Sequence, residues 1–432
     1  MNFIQKYFQL SKHQTSLRTE LVAACTTFST MAYIIVINPL ILSLAGMDFS
    51  SVMIATILAA ALSTILMGLY AHYPFALAPG MGMNAYFTYS VVLGMHISWE
   101  TALGIVFLTG VLLLILWITG LRELIVKAMP KGIKIGTTAG VGLFLVVVAL
   151  SNAKIIVSHP QTLLQLGNLA EPNAYLTFVG ILLITALLSW RIPGAILIGI
   201  LFNWLLGLLL GIIPFKGLVD LPHFNLKTFL ALDLQKALSP DLWMVTFSFL
   251  FICLFDSSGS LMGIAHQGRF LDKEGKLSRL RRALLPDGIG TFFGALLGTS
   301  PTSVYVESAS GVAAGGRTGL SALFIALLFV LALFFEPLAA SIPIFAVTPV
   351  LIIIGAMMMS SLKELDWEMP SDLIPGFMTL IGIPLTYSIG IGIGMGLILY
   401  PLCKLCAGKV KEVHWLVWVL AALFIFEFIG RI

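Results

Sequence analysis

Residues 299 to 317 read Thr299-Ser-Pro-Thr-Ser-Val-Tyr-Val-Glu-Ser-Ala-Ser-Gly-Val-Ala-Ala-Gly-Gly-Arg317 and lie between two strongly apolar stretches. The flanks place the segment at membrane depth, yet it opens with Pro301, carries a carboxylate at Glu307 and closes with Gly315 and Gly316. Backbone that leaves the helix inside a bilayer has to be buried in protein or line a cavity. A short helix that begins at mid-membrane points its free N–H groups and positive dipole end into that cavity. Ala76-Leu-Ala-Pro-Gly-Met-Gly-Met-Asn-Ala-Tyr-Phe-Thr88 has the same plan: Pro79 and Gly80 break the chain, and a short helix carrying Asn84 follows. Two such Pro/Gly-interrupted segments in corresponding positions are the sequence pointer to a transporter binding site. The plainer reading, two ordinary kinked helices, leaves Glu307 without a role.

The rest of the chain agrees with a membrane setting. Of 432 residues, 59% are hydrophobic and 10% charged, far from a soluble composition. Apolar runs of spanning length recur from end to end, so the reading is an all-α polytopic membrane protein with no soluble domain. Nothing resembles a cleavable signal peptide, and residues 1–19 read as a cytoplasmic leader. Seven segments are expected over 20–214, the third of them broken, and seven more over 242–407, the tenth of them broken. Residues 215–241 form the linker, with lysines and aspartates that roughly cancel. In the tail, 408–432, the apolar stretch 413–429 is either an extra span or a helix at the interface.

Counting crossings from a cytoplasmic N-terminus gives a check. The basic loops Arg122–Lys134 and Arg269–Arg282, which includes Lys273 and Lys276, fall inside, with Arg191 and the Lys404–Lys411 tail. The neutral linker falls outside, as the positive-inside rule requires. An odd number of segments per half inverts the second half relative to the first, which is the inverted-repeat transporter plan.

Asp256 and Glu307 are the two deep carboxylates. Ionisable groups inside a membrane are costly and mark pathways, relays or ligand sites; the alternative is a carboxylate capped by Ser257, Ser260 or a free helix end. Asn84 offers both a donor and an acceptor, and its structural alternative is an interhelical hydrogen bond. Asp287, just after Pro286, reads as a helix cap. The hydroxyls of the first span, Thr26, Thr27, Ser29 and Thr30, read mainly as back-bonds or interhelical bonds. Gly390, Gly392, Gly394 and Gly396 read as an interruption of the last hairpin. Cys403 and Cys406 form a C-x-x-C with no second pair or nearby His, so no metal site or cofactor is expected. The Gly-rich strings lack a Lys-Ser/Thr ending, and the serines near Asp256 have only His266, at the end of the same helix, as a partner. Basic residues follow the membrane surface and do not suggest nucleic acid.

Thr26-Thr-Phe-Ser-Thr-Met-Ala-Tyr-Ile-Ile-Val-Ile-Asn-Pro39, Ala76–Ala85, Leu254-Phe-Asp-Ser-Ser-Gly259 and Glu307-Ser-Ala-Ser-Gly-Val-Ala-Ala-Gly-Gly-Arg-Thr-Gly319 together resemble the AzgA-like purine permeases. These are a branch of the nucleobase/cation symporter-2 (nucleobase–ascorbate transporter) superfamily. The resemblance runs from about Ser16 to Lys411. It implies fourteen segments in two inverted sevens, with a core domain (20–120 and 242–336), a gate domain (132–214 and 343–407) and half-helices at segments three and ten. It also implies proton-coupled uptake of adenine, hypoxanthine or guanine by alternating access across a bacterial inner membrane. The family's polar residues map to Asn84, Asp256 and Glu307; with Gly82, Met83, Val306 and Ser308 beside them they make the candidate binding set. Asp256 and Glu307 are the candidates for proton coupling. The pair Glu307-Ser308 departs from the Gln-Asn or Glu-Asn of the xanthine and uracil branches. Homodimers are common in the superfamily, and no residue here establishes one. The competing reading is an anion transporter, sulfate-like, of the same broad fold; against it, Glu307 would repel the anion.

Overall fold

Five of the apolar helices start on a polar cap. Ser16, Asp48, Ser98, Thr318 and Ser388 each accept a hydrogen bond from a backbone N–H in the first turn of the helix that follows. The computed structural model describes residues 3–222, 224, 226–272 and 277–430, so Lys273 and Lys276 lie outside the described residues.

In chain order, α1 (Phe3–Tyr7) precedes a first span split into α2 (Leu17–Met31) and α3 (Ile34–Ser43). Then come α4 (Phe49–Leu66), β1 (Leu77–Pro79), the half-helix α5 (Met81–Ala85) with its π-helical continuation Tyr86–Gly94, and α6 (Trp99–Thr119). The amphipathic α7 (Leu121–Ala128) leads to α8 (Lys131–Asn152). A hairpin of β2 (Ile156–His159) and β3 (Leu163–Leu166) fills the polar stretch before α9 (Pro172–Ser189) and α10 (Ala195–Leu209). The linker carries α11 (Leu234–Ala237). The second half holds α12 (Trp243–Gln267), α13 (Leu280–Leu297), β4 (Thr302–Val304), the half-helix α14 (Ser308–Ala313) and α15 (Gly319–Leu331). It continues with α16 (Glu336–Ser341), α17 (Ile344–Met359), α18 (Pro370–Thr386), α19 (Ile389–Cys406) and α20 (Trp415–Gly430). Among the described residues nine helices are long and apolar enough to cross a bilayer.

The helices pack in two sets. In one, α4 lies against α3, α13 and α15, with α13 on α6 and α2 on α14 and α15. In the other, α8 packs on α17 and α18, α17 on α9, and α18 on α19. Glycines let backbones touch within each set: a Cβ on Gly68 would meet the Gly319 carbonyl at 2.6 Å, and one on Gly142 the Gly355 carbonyl at 2.6 Å. The same holds for the glycine run of α19. These glycines do not interrupt the hairpin; α19 is continuous from Ile389, and the break falls at Tyr387, which adopts a left-handed conformation with φ 50°. A Cβ on Gly396 would sit 1.9 Å from Thr379 Oγ1, so the run exists for close helix packing.

The loops separate by end. Lys227 of the linker pairs with Asp48 at the start of α4 at 2.9 Å, and Asp233 N–H donates to the Glu100 carbonyl at the start of α6. At the opposite ends of those helices, Arg281 contacts the Trp117 and Ile118 carbonyls, and Arg279 the Ala71 carbonyl. Burial works against charge on Asp48, but Lys227 and Ser51 hold its carboxyl below the ordinary value.

Two charged residues have different surroundings from those expected. Asp287 is not a helix cap, because α13 begins seven residues earlier at Leu280. It is fully buried and ion-paired with Arg122, itself only 1% exposed, which also donates to the Leu284 carbonyl at 2.8 Å. Arg122 therefore pins the amphipathic α7 to α13; a buried pair holds only while both partners are present, and losing one costs about 3–5 kcal/mol. Glu20 is likewise fully buried. It accepts from the N–H groups of Arg317 and Thr318, at 3.1 and 3.4 Å, and from the Ser321 hydroxyl at 2.5 Å, tying α2 to the start of α15.

Candidate substrate site

The two interrupted segments meet through their extended pieces. β1 and β4 pair antiparallel, with Leu77 opposite Val304, Ala78 opposite Ser303 and Pro79 opposite Thr302. Gly80 N–H donates to the Pro301 carbonyl and Tyr305 N–H to the Ala76 carbonyl, each at 3.0 Å, which extends the pairing at both ends. Leu77 exchanges two bonds with the Thr64 hydroxyl of α4. Extended backbone is tolerated in a helical bundle only when its polar groups are satisfied this way. From this two-stranded junction α5 and α14 run outward, and neither has a side-chain N-cap.

Three polar side chains surround the junction. Glu307 immediately precedes α14, and one of its oxygens accepts from the Tyr33 hydroxyl at 2.5 Å. Tyr33 stands at the break between α2 and α3, so the bend in the first span aims its ring at the tenth. Asp256 lies on α12, where the Ser303 hydroxyl of β4 faces it. A Cβ added at Gly80 would lie 2.9 Å from Ser303 Oγ and 3.5 Å from Asp256 Oδ2. The two carboxylates lie within Coulombic range of each other. Asn84, in the first turn of α5, is fully buried; its carbonyl accepts from Ser300 at 2.5 Å, and its Nδ2 has no partner among the described residues. A buried donor left unpaired costs about 1–3 kcal/mol, so this amide is poised for a ligand acceptor.

The remaining candidates hold other positions. Met83 Sδ lies 3.2 Å from Cys253 Sγ and packs α5 against α12. Gly82 faces α8 of the other helix set, where a Cβ would meet Val141 Cγ1 at 2.4 Å. Ser308 is buried and accepts from the Ala76 N–H at 3.0 Å, bracing the junction. Val306 is 57% exposed. A cleft of about 560 Å³ lined by Ser98, Glu100, Leu230–Asp233 and Lys236 lies at the linker end, apart from these groups.

The first-span hydroxyls divide. Thr26, Ser29 and Thr30 all bond back to their own helix, and Thr30 alone of these also reaches Ser310 of α14, at 3.1 Å. Tyr33, Asn38 and Ser300 join the site's polar framework, and sequence reasoning assigned none of them a role there. The available signal was Asn38-Pro39 in the first span and Ser300-Pro301 before the second break; a polar residue beside a helix-breaking proline sits where side chains supply the hydrogen bonds the backbone gives up.

Half-helices meeting end to end inside a polytopic bundle, with two carboxylates and an amide around the junction, define a secondary transporter. The chain belongs to the permease family, whose profile matches residues 18–400, within the nucleobase–ascorbate transporter superfamily. It is 50% identical over 99% of both chains to a putative permease of Methanocaldococcus jannaschii. It is 41% identical to the guanine/hypoxanthine permease PbuO of Bacillus subtilis, covering 97% of this chain and 99% of that one. It is 39% identical to the adenine permease AdeP of Escherichia coli, covering 99% and 96%. Among solved structures, the transmembrane domain of the cyanobacterial bicarbonate transporter BicA superposes with a TM-score of 0.65 over 88% of this chain and 97% of that one, at 16% identity. SLC26A9 superposes with a TM-score of 0.68 over 94% and 68%, at 10% identity. These likenesses establish the seven-plus-seven fold. Family membership makes the chain an integral membrane transporter and not an enzyme.

Proposed function

We propose that this chain imports purine nucleobases (adenine, hypoxanthine or guanine) in symport with protons by alternating access. One observation carries the reading: Asn84, Asp256 and Glu307 gather at the half-helix junction, in a chain about as similar to an adenine permease as to a guanine/hypoxanthine permease. A neutral planar heterocycle presents donors and acceptors on one edge. A carboxylate accepts its N–H groups, and a free amide N–H donates to its ring nitrogen or carbonyl. The anion reading has the fold of its solved neighbours in its favour, but a fixed carboxylate at the half-helix end opposes anion binding. Uptake of radiolabelled adenine, guanine and hypoxanthine in a cell lacking purine transport tests the proposal; sulfate or bicarbonate uptake without purine uptake would reverse it.

In this reading residues 20–120 and 242–336 form the core that carries the site, and residues 132–214 and 343–407 the gate against which it moves. The separate packing of the two helix sets supports that division. The basic loop at Arg269–Arg282 lies in the cytoplasm with the N-terminus, and the linker lies outside, supported by charge asymmetry. Single cysteines at positions 227 and 276 test the orientation: an impermeant thiol reagent should label 227 in intact cells and spare 276. Labelling of 276 alone would invert the topology.

Asn84→Ala should weaken purine binding and leave insertion intact. A lost neutral hydrogen bond is worth about 0.5–1.5 kcal/mol, a loss of about 2- to 12-fold in affinity. Unchanged affinity in a well-expressed Asn84→Ala protein would remove Asn84 from the ligand shell.

A further inference from the structure

The Asn84 carbonyl ends a chain of polar side chains that are all fully buried: Thr56, Asn38, Thr299, Ser300 and Asn84 itself. The chain starts from a fixed point. The Thr56 hydroxyl donates to the Val52 carbonyl of its own helix at 2.7 Å, so its oxygen is left to accept from Asn38 Nδ2, also at 2.7 Å. The same nitrogen donates to Thr299 Oγ1 at 2.7 Å. Both N–H bonds of Asn38 are thereby used, which assigns its amide orientation and turns Oδ1 toward Ser300 at 3.4 Å. A serine hydroxyl has one proton. Of its two acceptors, Asn84 Oδ1 at 2.5 Å is much the nearer. The carbonyl of Asn84 is thus occupied, and the group left over is the unpartnered Nδ2.

We propose that Ser300 is a specificity-determining positioning residue: it holds the Asn84 amide so that the site presents an N–H donor there, and the ligand atom facing it has to be an acceptor. The proposal rests on the purine reading above and adds the polarity of recognition. Glu307 supplies the opposite polarity, because one of its oxygens is engaged by Tyr33 and a carboxylate can only accept. A ligand edge spanning the two groups therefore offers an acceptor to Asn84 and a donor to Glu307. Without the Ser300 hydroxyl no hydrogen bond from a described side chain distinguishes the two ends of the Asn84 amide, and it can turn to suit either polarity.

The test compares hypoxanthine with analogues that each lose or weaken one acceptor, the 3- and 7-deaza compounds and 6-mercaptopurine, for binding to purified wild-type, Ser300→Ala and Ser300→Thr proteins. Wild type should bind one of these analogues about tenfold more weakly than hypoxanthine, because the buried Asn84 donor is left without a good acceptor. In Ser300→Ala that penalty should shrink to about threefold or less, and Ser300→Thr, which keeps the hydroxyl, should restore it. Should Ser300→Ala not insert, Ser300→Cys, close in size and only a weak donor, is read in its place. Equal binding of all four compounds by wild type, or a full penalty retained in Ser300→Ala, overturns this assignment alone. Wild-type protein that binds none of them overturns the purine reading and this assignment with it.

Discussion

Glu307→Gln is expected to abolish purine binding while leaving the protein inserted and folded. Glutamine keeps the length of the side chain and retains a carbonyl oxygen to accept from Tyr33, whose hydroxyl sits 2.5 Å from Glu307 Oε1. The local packing around α14 therefore survives. What changes is the other end of the group. A charged acceptor becomes an amide N–H₂, and a purine N–H then meets a donor. Hydrogen bonds to a charged group contribute about 1.5–3 kcal/mol, and the unpaired donors add a further penalty of about 1–3 kcal/mol. Together these correspond to a loss of about 100-fold or more in affinity. Calorimetry or radioligand binding on purified protein, with thermal unfolding as the folding control, measures it. Near-wild-type affinity would show that Glu307 does not hold the ligand.

Asp256→Asn is expected to abolish uphill accumulation while retaining binding or exchange. A neutral purine gains nothing from the membrane potential, so concentrating it requires a co-transported cation. Asp256 and Glu307 are the deep carboxylates at the junction, and Glu307 is committed to Tyr33 and, in this reading, to the purine N–H. On this proposal Asp256 is the group that carries the proton. It faces the Ser303 hydroxyl, a partner able to donate to a carboxylate or accept from a carboxylic acid, so both protonation states are accommodated. Asparagine preserves the shape and cannot exchange a proton. Counterflow of labelled purine should persist in Asp256→Asn while net accumulation disappears. In wild type a protonophore should lower uptake and sodium removal should not. If Asp256→Asn still concentrates purine in a pH-dependent way, the coupling proton resides elsewhere.

The environments of Arg122 and Glu20 show where local reading stops. Arg122 follows an apolar helix in a basic stretch, and its local pattern is that of a cytoplasmic loop. It is buried because Asp287, 165 residues away, lies buried within α13 and pairs with it. Glu20 sits where a polar leader meets an apolar run, as helix-start acids often do. Its partners are N–H groups nearly 300 residues further on. The α19 glycines have a local meaning as breakers and a tertiary meaning as contact surfaces, and the facing Thr379 and Ile383 decide between them.

The sequence by itself determined the membrane class, the recurrence of spanning-length apolar runs, the two interruptions and the prominence of Asn84, Asp256 and Glu307. Each of these follows from short-range physics. A run of apolar residues either is or is not long enough to cross a bilayer, proline and glycine act on the backbone where they stand, and a carboxylate at membrane depth is conspicuous in any context. Only the tertiary structure decided that the two interruptions pair as strands, that Tyr33 donates to Glu307, and that Ser300 donates to the Asn84 carbonyl. These contacts join residues more than 200 positions apart in the two halves of the chain. Buried hydrogen bonds need a partner in space rather than a neighbour in sequence, and the inverted halves have to fold onto each other before those partners meet.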